Sequence, residues 1–426
     1  LDKDRDGPKI QAYKERKPMH MTRRLVLGVM LTLNVFACQS DKQKSESEAA
    51  ASASNAANTD TIRIGLIASL TGKFSALGSE DKKAVELAVD QVNAQGGLIG
   101  KKLTLETRDD QTLPDQSVLA YNELKALNVV AVIGSAFSNS ALATLPFAER
   151  DGIPYLSLTP AEEQVQPIKR FVFVIPALSA AFAERYLEYM QAQKISKIAI
   201  AHDSKGAYAV SGYNATKALA AKYGVEIVKD EVFETTTADF SPIFTHIKDS
   251  GAQAFLFWGT GPSGVTVAKQ YAATKPTIPL FMTPSQASKL WLEPVGEAAE
   301  GVTVMSSIGV VGEHLPDSAQ KKVIAEMATP FSQKFGYPPP QFAQDGYSAS
   351  LLLFEAIKKS GSVDRNKIRD AIEQLTLMTP NGTYRYSAAD HSGLSRDYLS
   401  VNVVNGGKFV PAPWAKDQLV RAVSAQ

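Results

Sequence analysis

Residues 61–97 read TIRIGLIASLTGKFSALGSEDKKAVELAVDQVNAQGG, and this stretch decides the fold class. Ile62 to Ala68 is apolar apart from Arg63 and carries no polar alternation, the pattern of a strand buried on both faces. It ends in Ser69-Leu70-Thr71-Gly72. From Ser79 to Asn93 the period changes, with Ala84, Leu87, Ala88 and Val92 recurring at three-to-four spacing on one helical face. Gly96-Gly97 stops that helix. A buried strand, a small-residue loop and an amphipathic helix make one βα unit.

The same alternation continues along the chain. Leu103 to Glu106 reads as a strand, Asp115 to Leu127 as a helix with Val118, Tyr121, Leu124 and Leu127 on one face, and Val129 to Ile133 as a buried strand. Helices over Ala141 to Arg150, around Ala180 to Gln193 and from about Ala209 alternate with strands over Pro154 to Leu158, Lys197 to Ala201 and Gln253 to Trp258. Strands without polar alternation, separated by helices, predict an α/β fold whose parallel sheets are covered on both faces. There are more βα units than one sheet usually holds, so two doubly wound lobes are expected. In such sheets ligands bind beyond the carboxyl ends of the strands. The informative loops are therefore Ser69 to Gly78, Gly134 to Ser140, Ser157 to Gln164, His202 to Tyr208, Gly259 to Gly264 and Thr283 to Gln286.

Composition narrows the function classes. Among 426 residues, 45 Lys and Arg stand against 44 Asp and Glu, so no strong field draws the chain to nucleic acid. A single cysteine excludes an intramolecular disulfide and any cysteine-based metal cage. That cysteine, Cys38, follows a basic Met21-Thr22-Arg23-Arg24 and a 13-residue, largely apolar run from Leu25 to Ala37, too short to span a bilayer. Residues 21–37 are expected to be a secretory signal. The end Val35-Phe36-Ala37-Cys38 resembles a bacterial lipoprotein box, which implies cleavage before Cys38 and lipidation of its thiol. Residues 1–20 read as an upstream leader. After Cys38, residues 41–60 (DKQKSESEAAASASNAANTD) hold no aromatic or large aliphatic side chain and cannot offset the entropy of ordering. Residues 38–60 are expected to be a lipidated cysteine and flexible tether.

Gly259-Thr260-Gly261-Pro262-Ser263-Gly264 matches G-x-G-x-x-G after a strand, but a dinucleotide site wants an acid about 20 residues on, and residues 279–292 contain no Asp or Glu. A nucleotide-dependent enzyme using that loop is the alternative from another class; no cofactor is expected. The five histidines, His20, His202, His246, His314 and His391, show no metal-ligand spacing. Neither G-x-S-x-G nor H-E-x-x-H occurs. The remaining feature is Gly134-Ser135-Ala136-Phe137-Ser138-Asn139-Ser140, where free backbone N–H groups at a helix start and the Ser138 and Ser140 hydroxyls suit a small anion such as a carboxylate. Helix capping by Ser138 or Asn139 is the simpler reading of the same residues.

Ile62 to Gly72, Gly78, Ala84 to Asn93, Gly96 to Lys101, Asp109-Asp110 before Pro114, Val132 to Gly134, Gly152 to Pro154, Ala199 to Asp203, Ala299 to Gly301 and Phe342 to Leu352 together resemble the leucine/isoleucine/valine-binding protein family. The likeness is ordered from about residue 61 to 410. It implies a type I periplasmic binding protein: two lobes closing over a ligand, which is passed to an ABC permease, in a monomer that is not an enzyme. Lobe 1 is expected from 61–178 plus 307–390 and lobe 2 from 179–306 plus 391–426. Crossings would fall near Ala177 to Ser179, Ser306 to Ile308 and Asp390 to Asp397.

The resemblance also implies a site. Ser138 and Thr159, with Asn139, Ser157 and backbone N–H groups beside them, would hold a ligand carboxylate. Tyr208, Phe342, Phe137 and Trp258 would shape the apolar part, with Leu77, Thr260 and Ser285 on the neighbouring loops. Where the family pattern has an acid after Pro284 to pair a ligand ammonium, this chain has Ser285-Gln286, and Gly261 and Leu77 stand where aromatics are expected. A buried ammonium without a carboxylate costs several kcal/mol. Two ligand classes follow: an amino acid whose ammonium is taken by Asp345 or Asp203, or a carboxylate lacking that ammonium, such as an aromatic or short branched acid. The Ser285-Gln286 loop favours the second. A ligand sensor is the alternative to a transport component.

Overall fold

The computed structural model describes residues 61–424; the expected leader, signal segment, Cys38 and tether lie outside them. β1, Thr61–Ala68, is the inner strand that its apolar run predicts, with Ile62, Ile64, Leu66, Ile67 and Ala68 all buried. It pairs in parallel with β2, Lys102–Asp109, on one side and β3, Val132–Gly134, on the other. β4, Tyr155–Ser157, and β5, Val172–Val174, complete a five-stranded parallel sheet in the order β2-β1-β3-β4-β5. α1, Ser75–Ala94, starts four residues before the expected Ser79 and buries Ala84, Val85, Leu87, Ala88 and Val89. α2, Pro114–Ala126, and α3, Ser138–Asp151, pack on each other beside the same sheet.

The chain then leaves this sheet. α4, Ser179–Ala192, leads to β6, Lys197–Asp203, followed by α5, Ala207–Leu219, and β7, Glu226–Phe233. α6, Ser241–Lys248, β8, Ala254–Trp258, α7, Pro262–Ala273, β9, Leu280–Met282, α8, Lys289–Val295, and β10, Thr303–Ser307, extend the second lobe. From β10 the chain returns through α9, Ala319–Phe335, to α10, Gln341–Ser360, which lies along α1 of the first lobe. α11, Arg365–Glu373, precedes an antiparallel hairpin, β11, Thr376–Thr379, with β12, Gly382–Arg385. A third passage leads to β13, Leu399–Asn405, and β14, Lys408–Pro411, before α12, Pro413–Ser424.

The second sheet has seven strands in the order β14-β13-β10-β9-β8-β6-β7. It departs from an all-parallel lobe at one edge, where β13 runs antiparallel to β10 and β14 antiparallel to β13. Asn405-Gly406-Gly407 makes this hairpin, with φ of 58° at Gly406 and 69° at Gly407, the left-handed pair a tight strand-twisting turn requires. His391, read from the sequence as the start of the second lobe's tail, sits on the first lobe instead. Its ring stacks on Phe173 of β5 at 4.3 Å, and Nδ1 lies 2.8 Å from the Val172 carbonyl oxygen. The first passage is fixed from the same region, because the Tyr384 hydroxyl donates to the Ile175 carbonyl at 2.5 Å and that of Tyr386 to Val174 at 2.9 Å.

Candidate functional site

The loops beyond the carboxyl ends of strands from both sheets meet around one cavity. From the first lobe come Phe74, Ala136, Phe137, Ser138, Leu158, Thr159, Pro160, Gln341, Phe342 and Asp345; from the second come Phe182, Asp203, Gly206, Tyr208, Ala209, Thr260, Pro284 and Ser285, with Pro176 from the passage between them. This is where open parallel sheets present ligand sites. The wall is mostly apolar, with a few polar groups.

Ser138 is the first residue of α3. Phe137, extended at φ −126° and ψ 122°, is the N-cap, and no side chain caps this end. Neither Ser138 nor Asn139 therefore performs the capping that the simpler sequence reading assigns. Ala141 N–H already bonds Phe137 oxygen, which leaves the earlier N–H groups of the turn at the cavity edge. Ser138 is buried and its hydroxyl makes no hydrogen bond within the described residues. Thr159 lies on the next loop, its hydroxyl 3.2 Å from that of Ser157 and 3.4 Å from Gln164 Oε1. Ser157 is behind the wall, donating to Gln164 Oε1 at 2.5 Å, so it positions Thr159 and does not face the cavity.

Tyr208 on α5 lines the cavity and is buried, and its hydroxyl meets no partner in hydrogen-bond geometry among the described residues. Burial pushes that phenol well above its ordinary pKa. Trp258, expected at the wall, is a layer further back. It is fully buried, its indole N–H donates to Thr216 Oγ1 at 3.2 Å, and its ring meets Tyr208 edge-on at 5.6 Å. Leu77 is also displaced from its expected place: it faces an adjoining groove with Gly261, Pro262 and Trp291, while Phe74, three residues earlier, supplies the first-loop aromatic and packs on Phe137 at 5.0 Å. Phe74 and Phe182 are wall residues that the sequence reading missed. Phe74 stood in the quoted loop, but periodicity does not assign loop side chains a direction.

The Gly259 loop is explained by packing. Its Gly259 carbonyl accepts from Ser285 Oγ at 3.1 Å, Gln286 Nε2 at 3.2 Å and Thr283 Oγ1 at 3.3 Å. Gly264 lets the Gln286 amide lie against α7, since a Cβ there would come within 2.5 Å of Gln286 Nε2 and displace it. Gln286, in the stretch that holds no acid, thus joins two loops, and the Ser285 hydroxyl bonds the same carbonyl while Thr260 reaches the wall.

Two carboxyl groups line the cavity. Asp203 accepts from Lys205 N–H at 2.9 Å through Oδ1 and from the Thr235 hydroxyl through Oδ2. Asp345 is buried, and burial raises its carboxyl to about 7, against the opposing pull of hydrogen bonds from Asn381 and Gln341. Two contacts span the lobes beside the cavity. Asn139 Nδ2 donates to Lys205 oxygen at 3.0 Å and its Oδ1 accepts from Ala207 N–H at 2.9 Å. The Ser211 hydroxyl donates to Glu162, whose other oxygen accepts from Ala180 N–H at 2.5 Å; burial raises the Glu162 carboxyl to about 7.

Residues 61–408 match the family model described as periplasmic binding protein. The Leu/Ile/Val-binding protein BraC3 of Rhizobium johnstonii is 28% identical over 360 residues, covering 82% of this chain and 94% of its own. Among solved structures, the branched-chain amino acid transporter substrate binding protein LivJ of Streptococcus pneumoniae, in complex with isoleucine, has a TM-score of 0.73 at 21% identity over 82% of this chain and 97% of its own. A solute binding protein of an ABC transporter from R. palustris, in complex with benzoate, has a TM-score of 0.72 at 21% identity over 82% of this chain and 95% of its own. Two lobes of wound parallel sheet, a cavity at their facing strand ends and these likenesses together place the chain in the type I periplasmic binding protein family, among relatives of the Leu/Ile/Val-binding proteins.

Proposed function

We propose that this protein is the exported ligand-binding component of an ABC importer, closing its two lobes over a small carboxylate-bearing molecule the size of a branched-chain amino acid or related acid. The observation that carries this reading is the cavity walled by both lobes beyond their strand ends, with the Ser138 hydroxyl, unpaired among the described residues, at the first turn of α3, Thr159 beside it and an apolar remainder. Helix N–H groups and hydroxyls favour a carboxylate, and a wall shared by both lobes lets the ligand stabilise the closed arrangement. Members of the family are solute-binding proteins and not enzymes. The same fold holds isoleucine in one solved structure and benzoate in another, so the side chains of this wall must select the ligand.

The test is thermal unfolding against leucine, isoleucine, valine, benzoate and 4-methylpentanoate. A ligand at a hundred times its Kd stabilises the folded state by about 2.7 kcal/mol, a shift of several degrees. No shift with any of these acids would end the carboxylate reading. We propose also that Cys38 anchors the protein to a membrane by lipid, on the strength of the basic head and short apolar run before it. Labelled fatty acid should be incorporated by the full chain in a bacterial host and lost in Cys38→Ala; equal labelling of both would exclude this anchor.

A further inference from the structure

A second cavity, of about 610 Å³, lies beside the third passage between the lobes and shares no wall residue with the ligand cavity. Three elements and the passage build it. On β12, Thr383 and Arg385 point the same way because side chains alternate along a strand, while Tyr384 between them turns to the Ile175 carbonyl. On α12, Gln418, Arg421 and Ala422 share one face at three-to-four spacing. α4 contributes Arg185, and the passage adds Asp390 and Asp397.

The charged groups on this wall are unequally paired. Arg185 is buried and spends its donors on the protein: Nε and Nη2 reach the Arg396 carbonyl at 3.1 and 2.6 Å, and Nη1 reaches Glu188 at 3.0 Å. Asp390 is tied within its own turn, its Oδ1 accepting from the Ser392 N–H at 2.8 Å and hydroxyl at 2.6 Å. Asp397 accepts from the Ser395 hydroxyl at 3.0 Å through Oδ2, and its Oδ1 lies 3.5 Å from Arg185 Nη2. Neither acid pairs with Arg385 or Arg421, whose exposed side chains have no partner among the described residues. Thr383, between them and the interior, is only 8% exposed, and its hydroxyl also has no partner there. A buried hydroxyl without a partner is costly, so an acceptor brought to it is favoured.

We propose that this cavity is a second ligand site, for a small dianion: a dicarboxylate or a phosphate monoester whose negative groups are taken by Arg385 from the hairpin side and Arg421 from the α12 side, with the Thr383 hydroxyl as a further donor. Each guanidinium offers paired N–H groups that match carboxylate or phosphate oxygens. A dianion engages both forks, and a monoanion only one. The cavity volume lies within the range of small-molecule sites.

The test is calorimetry on the full chain, in a phosphate-free buffer of low salt, with succinate, glutarate and glycerol 3-phosphate, and with butanoate and pentanoate as the monoanions of matching length. At least one dianion should bind with a Kd below about 1 mM. A dicarboxylate that binds should do so at least about tenfold more tightly than its monoanion; binding of glycerol 3-phosphate alone would identify the ligand as a phosphate monoester. Arg385→Gln and Arg421→Gln should each weaken the dianion at least about tenfold, and because both side chains are exposed and without partners, the unfolding temperature in the absence of ligand should not move. Neither residue lines the ligand cavity, so a dianion that binds both variants as tightly as the parent is held elsewhere, and the proposal falls. It falls equally if none of the three dianions binds, or if butanoate and pentanoate bind as tightly as succinate and glutarate. None of these outcomes depends on which acid, if any, the ligand cavity between the lobes accepts.

Discussion

The side-chain amide of Asn139, in the first turn of α3, serves as the cap of Ala207, the first residue of α5 on the opposite lobe: Oδ1 accepts the Ala207 N–H at 2.9 Å while Nδ2 donates to Lys205 oxygen at 3.0 Å. A cap supplied across the cleft exists only when the lobes are together, so it adds to the closed state alone. Loss of a helix cap costs about 0.5–2 kcal/mol. Asn139→Ala should therefore weaken ligand binding by roughly 2- to 30-fold, although Asn139 is not on the cavity wall. Calorimetric affinity checks this, and an affinity equal to the parent's would show that the bonds do not bias closure.

Ser138 tests the carboxylate end directly. Its hydroxyl is buried at the start of α3 and spends no bond on the protein, so it is free for a ligand. A hydrogen bond to a charged acceptor contributes about 1–3 kcal/mol, which predicts roughly 5- to 150-fold weaker binding for Ser138→Ala with unfolding temperature in the absence of ligand nearly unchanged. Unchanged affinity would remove Ser138 from the site.

Glu162 should make stability depend on pH. Burial, only partly offset by the Ala180 N–H, raises its carboxyl from the ordinary glutamate range to about 7. The folded protein thus keeps a proton that the unfolded chain gives up, and the associated stability is present at low pH and lost as pH rises to about 7. Glu162→Gln fixes the neutral form and can still face Ser211 and Ala180. It should match the parent near pH 4.5 and exceed it at pH 7.5, by on the order of 1–3 kcal/mol. Denaturant unfolding at the two pH values measures the difference; a gap that does not widen with pH would show that Glu162 ionises without penalty.

The parts of this fold that could be read from residues alone are those in which periodicity reports burial. β1 and α1 show it: an unbroken apolar run must be covered on both faces, and Ala84, Leu87 and Ala88 can share a face only in a helix. The β13–β14 edge is not legible from βα alternation, because Asn405-Gly406-Gly407 turns the chain back on itself with no helix between the two strands. At the site, the rule that ligands meet strand ends located the loops, and the family resemblance singled out Ser138, Thr159 and Tyr208 on them, which line the cavity. It could not say which way a loop side chain turns, and so Leu77 stood in for Phe74 and Trp258 for a wall residue. Nor does local sequence reveal that Asn139 reaches a helix of the other lobe, because that partner is 68 residues away.

Trp258 and Gly212 allow a test of how the second layer supports the wall. Gly212 sits mid-helix in α5, where it costs helix stability relative to Ala, yet a Cβ there would lie 2.2 Å from the Trp258 ring. The glycine is therefore required by the indole, which in turn backs Tyr208 edge-on at 5.6 Å. Gly212→Ala must push the ring or the helix aside, an overpacking cost of about 1–3 kcal/mol that exceeds the gain in propensity of up to about 1 kcal/mol. The expected outcome is a lower unfolding temperature together with weaker ligand binding, because Tyr208 moves with the ring behind it. Pairing it with Trp258→Phe, which frees space at the same contact, should restore part of the lost stability. If Gly212→Ala instead raises the unfolding temperature, the indole does not hold α5 at this distance and Tyr208 is positioned by something else.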